Sequence, residues 1–212
     1  KDRIPARESR EVELNALRQE RFNPSTVIEP QNSYVQAIRR AMPDDGIFVS
    51  GMTQIGYYSR NKYEVYEPAT YITSSYYGNL GFAYPTALGA KVAKPDKAVV
   101  AVSGDGGFMF NVQELSTAVR HKINAVAVVF NDNAFGNVMR DQVNMYEGRE
   151  YGARVHNPDF MKLAEAFGVR GVRIQDGSPD KLEKELSDSF QVDSPTLIEV
   201  PVGEMPNPFR DY

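Results

Sequence analysis

Several residue types are absent or scarce in this chain of 212 residues, and each absence excludes a class of function. With no cysteine, the chain has no disulfide, no thiolate metal site and no cysteine nucleophile. No apolar run approaches the roughly 18 residues of a membrane helix, so no membrane span is predicted. Acidic residues outnumber lysine and arginine by 28 to 24, and the net charge of −4 argues against a nucleic-acid-binding surface. The two histidines, His121 and His156, are expected to be structural or exposed, and the expected location is the cytoplasm.

Apolar runs alternate with helical patterns along most of the chain. Strands are predicted at 46–50, 70–75, 98–102, 125–130, 169–174 and 196–200. Helices are predicted at 10–21, 34–41, 53–60, 81–92, 111–121, 159–167 and 179–190. This alternation predicts an α/β fold: a doubly wound, six-stranded parallel sheet with helices on both faces.

The predicted domain occupies residues 31–204. A highly charged linker or extension precedes it at 1–30, and a proline-rich tail follows at 205–212. Because the chain begins at Lys1 and its first segment is too poor in apolar residues to form a domain, we expect it to be part of a longer protein.

Two polar motifs follow consecutive apolar runs. The Gly-Asp-Gly motif at 104–106 ends one predicted strand, and the Asn-Asp-Asn motif at 131–133 ends the next. One helix between them makes the strands parallel neighbours, so both motifs lie at the sheet edge where open α/β sheets bind ligands. Carboxylate and amide oxygens there suit a hard divalent cation that also holds a diphosphate. Each motif alone is also a common turn, so the prediction depends on their combination.

Two further segments extend this pattern, GDGGFMFNVQELSTA at 104–118 and GNLGFAYPTALGA at 78–90. Together with the motif at 131–133, they resemble the diphosphate-binding domain of thiamine-diphosphate enzymes over about residues 31–201. The resemblance is closest to the branch with acetolactate synthase, benzoylformate decarboxylase and related 2-oxoacid decarboxylases and carboligases. It implies thiamine diphosphate and Mg²⁺ as cofactors and a small 2-oxoacid as substrate.

The resemblance also implies the ligands of the metal. Asp105 and Asp132 correspond to the side-chain ligands of Mg²⁺, and Ala134 corresponds to the backbone-carbonyl ligand. Asp132 stands where the family usually has asparagine, which keeps an oxygen ligand and adds a negative charge.

Further cofactor contacts follow from the same resemblance. The positions implied at the diphosphate are Gln54, Gly104, Gly106, Gly107, Phe135, Gly136 and Asn137, of which the glycines at 106 and 107 let backbone N–H groups approach the phosphates. In the turn at Gly78 and Asn79, the Gly78 carbonyl would accept a hydrogen bond from the aminopyrimidine. Leu80 would separate the two rings of the cofactor, although an ordinary core leucine is the alternative. Asn111 and Glu114 are instead expected to form a helical capping box.

The polar segment at 139–156 is interpreted as a lid over the cofactor, with a solvated surface loop as the alternative. Acetolactate synthases have a substrate-defining tryptophan in this region, whereas this chain has no tryptophan and carries Asp141 at about that place.

The resemblance implies partners as well. The family activates its cofactor with a glutamate on a separate pyrimidine-binding domain, usually of a partner subunit, so a homodimer or tetramer is expected. Two other functions within the family stay open: another thiamine-diphosphate lyase, ligase or hydrolase, and a non-catalytic cofactor-binding domain. A nucleotide-binding Rossmann domain is disfavoured, because Gly51-Met-Thr-Gln-Ile-Gly56 lacks the middle glycine of that fingerprint.

Overall fold

The computed structural model describes residues 9–21, 23–74 and 76–209. The described strands are β1 (Ile47–Ser50), β2 (Tyr71–Thr73), β3 (Val99–Gly104), β4 (Val126–Asn131), β5 (Arg170–Arg173) and β6 (Thr196–Pro201). The described α-helices are α1 (Glu11–Arg21), α2 (Gln31–Ala41), α3 (Gln54–Lys62), α4 (Ala83–Ala93), α5 (Asp105–Met109), α6 (Glu114–His121), α7 (Gly136–Met145), α8 (Phe160–Phe167) and α9 (Pro179–Ser189). The outer parts of the predicted linker and tail, 1–8 and 210–212, lie outside the described residues, as does residue 75 of the predicted strand 70–75.

The strands form one sheet in the order β2-β1-β3-β4-β6-β5, and every neighbouring pair is parallel. This confirms the predicted fold class. The central strands β3, β4 and β6 are almost wholly buried, because parallel strands joined by crossover helices are covered on both faces.

Alternate residues of each central strand enter two different cores. In β3, Val99 and Ala101 face the core formed with α4, α6 and α8, which contribute Leu88, Leu115 and Phe160. On the opposite face, Val100 and Val102 pack with residues of α2, α3 and α9, including Ile38, Ile55 and Leu182. The sheet is therefore held rigidly from both sides, which fixes the positions of the loops at its carboxyl edge.

In the C-terminal half of the chain, helices α8 and α9 begin at capping side chains, and α8 ends at a glycine. Asp159 caps α8 by accepting a hydrogen bond from the Met161 N–H at 3.0 Å, and Gly168 ends that helix at a φ of +73°. Ser178 caps α9 by accepting a hydrogen bond from the Lys181 N–H, and Pro179 stands in the first turn of that helix.

The predicted capping box at Asn111 and Glu114 is wrong. Helix α6 begins only at Glu114, and residues 110–113 form a turn. The Asn111 side chain instead donates to the Gly81 carbonyl oxygen at 2.8 Å, and the Glu114 carboxylate accepts from the Thr117 hydroxyl at 2.7 Å. Asn111 thus joins the start of α4 to the end of α5, a contact between segments that a local pattern does not reveal.

The structure also contains two helices that the sequence did not predict, α5 and α7.

Helix α1 forms where a helix was expected, and its apolar residues Val12, Leu14 and Leu17 are exposed. No helix within the described ranges has both the length and the apolar character that crossing a membrane requires.

Candidate cofactor site

The candidate site lies at the carboxyl edge of the sheet, where the strand order reverses. From β1 the chain passes to β2 on one side and then to β3 on the other, so the ends of β1 and β3 diverge into a crevice. Open α/β sheets bind ligands at such switch points. The predicted motifs 104–106 and 131–133 follow β3 and β4 directly, and Gln54 starts the helix that follows β1.

A cavity of about 110 Å³ occupies this crevice. Most of the predicted cofactor residues line it: Gln54, Leu80, Gly104, Asp105, Gly106, Gly107, Asp132, Ala134, Phe135, Gly136 and Asn137. Gly78 and Asn79 are outside this lining set, although Gly78 has a φ of +58° and lies beside Met52, which does line the cavity. The fold therefore gathers predicted residues from four separate segments around one small volume.

Leu80 is half-buried and lines this cavity. Its Cδ2 lies 3.6 Å from the point where a Cβ on Gly107 would stand. Leu80 is not a member of either of the two described core clusters that cover the sheet. It therefore faces the site rather than the core.

Two glycines leave room for close packing around the cavity. A Cβ on Gly106 would lie 2.4 Å from the ring of Phe135, and a Cβ on Gly136 would lie 2.5 Å from Oδ2 of Asp132. No side chain fits at either position without displacing a neighbour. These glycines let the segments after β3 and β4 approach each other, so backbone amides border the cavity.

The two carboxylates are held by hydrogen bonds rather than by cations. Asp105 is 1% exposed and accepts from Nδ2 of Asn157 at 2.5 Å. Asp132 accepts from the backbone N–H of Ala134 at 3.1 Å. Within the described part of the chain, neither aspartate has a lysine, arginine or histidine within ion-pair distance.

Burial raises the pKa of both carboxyl groups. For Asp132 the pKa rises to about 6, first because of burial and then because of the nearby charge of Asp105. For Asp105 burial also raises the pKa, while hydrogen bonds from Asn157 and backbone amides oppose the rise. Two neighbouring like charges, one buried and one partly buried, disfavour each other when no counter-ion is present, and a divalent cation between them would relieve both costs.

The donor set fits a cation that takes only part of its ligands from protein side chains. Among the described residues there is no cluster of three or more histidine, cysteine, aspartate or glutamate side chains that could hold a metal. Two carboxylates and the carbonyl of Ala134 leave ligand positions free for phosphate oxygens and water, as is usual for Mg²⁺.

Asn157 is a site residue that the sequence analysis did not identify. Its Nδ2 donates to Oδ2 of Asp105, and also lies 3.0 Å from Oδ1 of Asn131 and 3.3 Å from Oδ1 of Asn133. One amide group thus joins the ends of β3 and β4. In the sequence Asn157 only precedes Pro158 at a predicted helix start, so the pattern gave no signal for this contact.

The polar segment 139–156 is partly helical and returns to the site. Helix α7 occupies its first part, and Met139 is buried. The chain then comes back beside the Asn-Asp-Asn motif at 131–133, where the Phe135 N–H donates to the Ala153 carbonyl at 2.8 Å and the Val155 N–H donates to the Asn133 carbonyl at 2.9 Å. The sequence predicted a lid or a solvated surface loop here. Neither prediction included the backbone hydrogen bonds that fix the end of this segment beside the site.

The C-terminal segment also borders the site, which the sequence analysis did not anticipate. Val202 and Met205 line the cavity, and the Pro206 carbonyl accepts a hydrogen bond of 2.7 Å from the buried side chain of Gln31. The ring of Phe209 packs on Tyr57, with 5.1 Å between centroids.

Paired carboxylates over a glycine-lined crevice, at the switch point of a parallel sheet, define a cofactor-binding domain of the doubly wound α/β class. The chain belongs to the family described as the C-terminal TPP binding domain of thiamine pyrophosphate enzymes, whose model matches residues 51–200. Thiamine diphosphate is therefore the cofactor of this fold.

Relatives and solved structures agree with this membership. The chain is 37% identical to the acetolactate synthase large subunit of Haemophilus influenzae, over 79% of this chain and 29% of that protein. It is 36% identical to an acetolactate synthase of Bacillus subtilis, over 82% of this chain and 30% of that protein. The structure of a thiamine diphosphate-dependent 4-hydroxybenzoylformate decarboxylase from Rhodococcus jostii RHA1 has a TM-score of 0.74 and 28% identity, covering 82% of this chain and 32% of that one. The chain thus spans less than a third of the length of these relatives.

Proposed function

We propose that this chain is the diphosphate- and Mg²⁺-binding domain of a larger enzyme that decarboxylates or ligates 2-oxoacids. The observation that carries the proposal is a pair of carboxylates, the buried Asp105 and the partly buried Asp132, which follow neighbouring strands and lack a cationic partner among the described residues. The relatives named acetolactate synthase and decarboxylase support the reaction class.

In this proposal the chain's own residues hold the cofactor by its charged end. Asp105, Asp132 and the carbonyl of Ala134 bind Mg²⁺, which neutralises the diphosphate. The first turn of α7, from Gly136, provides backbone N–H groups without intrahelical partners, and these groups favour an anion. Asn157 keeps Asp105 oriented for the metal through its hydrogen bond.

When bound, thiamine diphosphate supplies the electron sink for bond cleavage next to the carbonyl of a 2-oxoacid. Leu80 orients its rings from the side of the cavity that faces Gly107. The activating glutamate belongs to a pyrimidine-binding domain of the same or a partner chain, so the active site lies between two domains, and we expect the active enzyme to be an oligomer. A cytoplasmic location stays a prediction.

The proposal is tested by calorimetric titration of the full-length protein with thiamine diphosphate, once with excess Mg²⁺ and once with EDTA. We expect binding that depends on the divalent cation. Absence of binding under both conditions contradicts the proposed function, and equal affinity in EDTA contradicts the metal assignment alone.

The reaction class is tested by assays with pyruvate and benzoylformate in the presence of both cofactors. Release of carbon dioxide with aldehyde formation identifies a decarboxylase, and formation of acetolactate from pyruvate identifies a carboligase. Turnover of neither oxoacid, with cofactor bound, favours the other thiamine-diphosphate reactions or the non-catalytic domain.

A further inference from the structure

A second cavity of about 270 Å³ adjoins the candidate site and contains an unusually held arginine. It shares Gln54, Asp132, Gly136 and Met205 with the first cavity. Arg140, on the second turn of α7, also lines it and keeps only 16% of its side chain exposed.

The guanidinium of Arg140 is held mainly by amide oxygens. Its Nη1 donates to Oε1 of Gln54 at 3.2 Å, and its Nη2 donates to Oδ1 of Asn137. The only carboxylate near it in the described residues is Asp141, at 3.8 Å and 49% exposed, which is beyond hydrogen-bond distance. Nε of Arg140 is buried and has no hydrogen-bond partner among those residues.

The other arginine of this cavity has its own carboxylate partners. Arg154 pairs with Glu150 at 2.6 Å and lies 4.0 Å from Glu204. Asp132 is the remaining acid, and it is the proposed metal ligand. Arg140 therefore contributes a mostly buried positive charge without a hydrogen-bonded anion, beside two residues that line the diphosphate cavity, Gln54 and Asn137. A buried charge is costly unless it is paired, so this arrangement suits an anion that arrives with the ligand.

We propose that Arg140 binds a phosphate group of the cofactor, and so offsets the extra negative charge that Asp132 brings to the metal position. A guanidinium suits this role because it stays charged and can donate two parallel hydrogen bonds to phosphate oxygens. Gln54 and Asn137 hold the guanidinium of Arg140 at the cavity of about 270 Å³ that it lines. The inference rests on the proposed function for the identity of the ligand, and adds a residue that binds it.

The test compares three full-length variants by calorimetry with Mg²⁺ present: Arg140→Met, Arg140→Lys and the control Arg149→Met. The control removes an arginine of the same polar segment that is 75% exposed and bonded to a backbone carbonyl, and we expect it to bind as the wild type does. The probes are thiamine diphosphate and inorganic diphosphate, the second of which isolates the phosphate contacts from the rings. Circular dichroism and thermal unfolding of each ligand-free variant establish that the fold is intact.

We expect Arg140→Met to weaken both probes by about ten- to a hundredfold, since a charge-assisted hydrogen bond is lost. Arg140→Lys keeps the charge and should lose less than about tenfold. Unchanged affinity of a folded Arg140→Met overturns the inference. The inference is also overturned if Arg140→Lys folds but binds both probes as poorly as Arg140→Met. In that case the loss of affinity comes from the missing contacts to Gln54 and Asn137 rather than from the missing positive charge. If the wild type does not bind thiamine diphosphate, the proposed function fails, whereas inorganic diphosphate still decides the role of Arg140.

Discussion

The two edges of the parallel sheet differ in how their charges are satisfied. At the amino edge, a groove of about 720 Å³ is the larger cavity, yet Lys97 there pairs with Asp45, and Lys91 donates to the Lys97 carbonyl at 2.8 Å. At the carboxyl edge, the cavity of about 110 Å³ is lined by the buried Asp105 and the partly buried Asp132, neither of which has a counter-ion in the described part of the chain. Unpaired buried charge, rather than volume, therefore distinguishes the candidate site from the groove.

The largest expected effect comes from removing a carboxylate at the carboxyl edge. Asp105→Ala in the full-length protein should abolish Mg²⁺-dependent binding of thiamine diphosphate, measured by calorimetry, because it removes the proposed side-chain ligand that directly follows β3. The matched control is Asp193→Ala, which removes an acid from the groove at the amino edge. Retained affinity in Asp105→Ala, or equal loss in both variants, contradicts the contrast between the edges.

Leu80→Ala should reduce kcat by about tenfold or more while changing the affinity for thiamine diphosphate by less than about threefold. The physical reason is that the variant removes the side chain proposed to orient the rings and leaves the diphosphate anchor intact. Since Leu80 is half-buried and lines the cavity, its loss should cost only about 1 kcal/mol of unfolding free energy, less than the ~2–5 kcal/mol of a core leucine. Full activity, or a stability loss of core size, contradicts this role.

The effect of Asp132→Asn on the free energy of unfolding is expected to depend on pH. The folded-state pKa of Asp132 is raised to about 6, so the ligand-free folded protein binds more protons than the unfolded chain between about pH 4 and 6. Its stability contribution therefore falls as pH rises through that window and is lowest above pH 6.

Replacing this aspartate should stabilise the ligand-free protein at pH 7.5 by about 1 kcal/mol, discounted for partial exposure, and should have little effect at pH 4. Urea unfolding in EDTA at the two pH values measures the difference. An equal change at both pH values would mean that ionisation of Asp132 is not the cause.

The smallest effect is expected at the amino edge. Lys97→Met breaks the ion pair with Asp45, in which the side chains are 37% and 49% exposed. Because solvent screens such a pair, the unfolding midpoint should shift by no more than about 2 °C, and the affinity for thiamine diphosphate should not change. A loss of cofactor affinity in this variant would show that the edges are not independent.

Sequence alone predicted the centre of the sheet because β3 and β4 are compact apolar runs that each end in a turn signal. It also predicted that Asp105 and Asp132 lie at one edge, since a single predicted crossover helix separates the two apolar strands that precede them. Asn157 was missed because its contact with Asp105 depends on a return of the chain after α7. Helix α7 was missed in part because its segment is polar, and its apolar anchor Met139 stands alone among the residues buried in that helix.

The capping box failed for a related reason. Asn111 and Glu114 have the right local spacing, yet the carbonyl of Gly81 comes close enough to bond with Asn111. A local pattern describes what a segment does when nothing distant competes, and here a neighbouring element did.

The return of the chain after α7 has a consequence for protein engineering. The Gln142 side chain bonds both the N–H and the carbonyl of Tyr151 at 3.1 Å, so residues 143–150 form an excursion whose two ends are joined. A segment that replaces residues 143–150 would start and end at Gln142 and Tyr151, which these hydrogen bonds hold together. This excursion is therefore a place to insert a fluorescent reporter or graft a foreign loop close to the candidate site, without moving the aspartates proposed to anchor the cofactor.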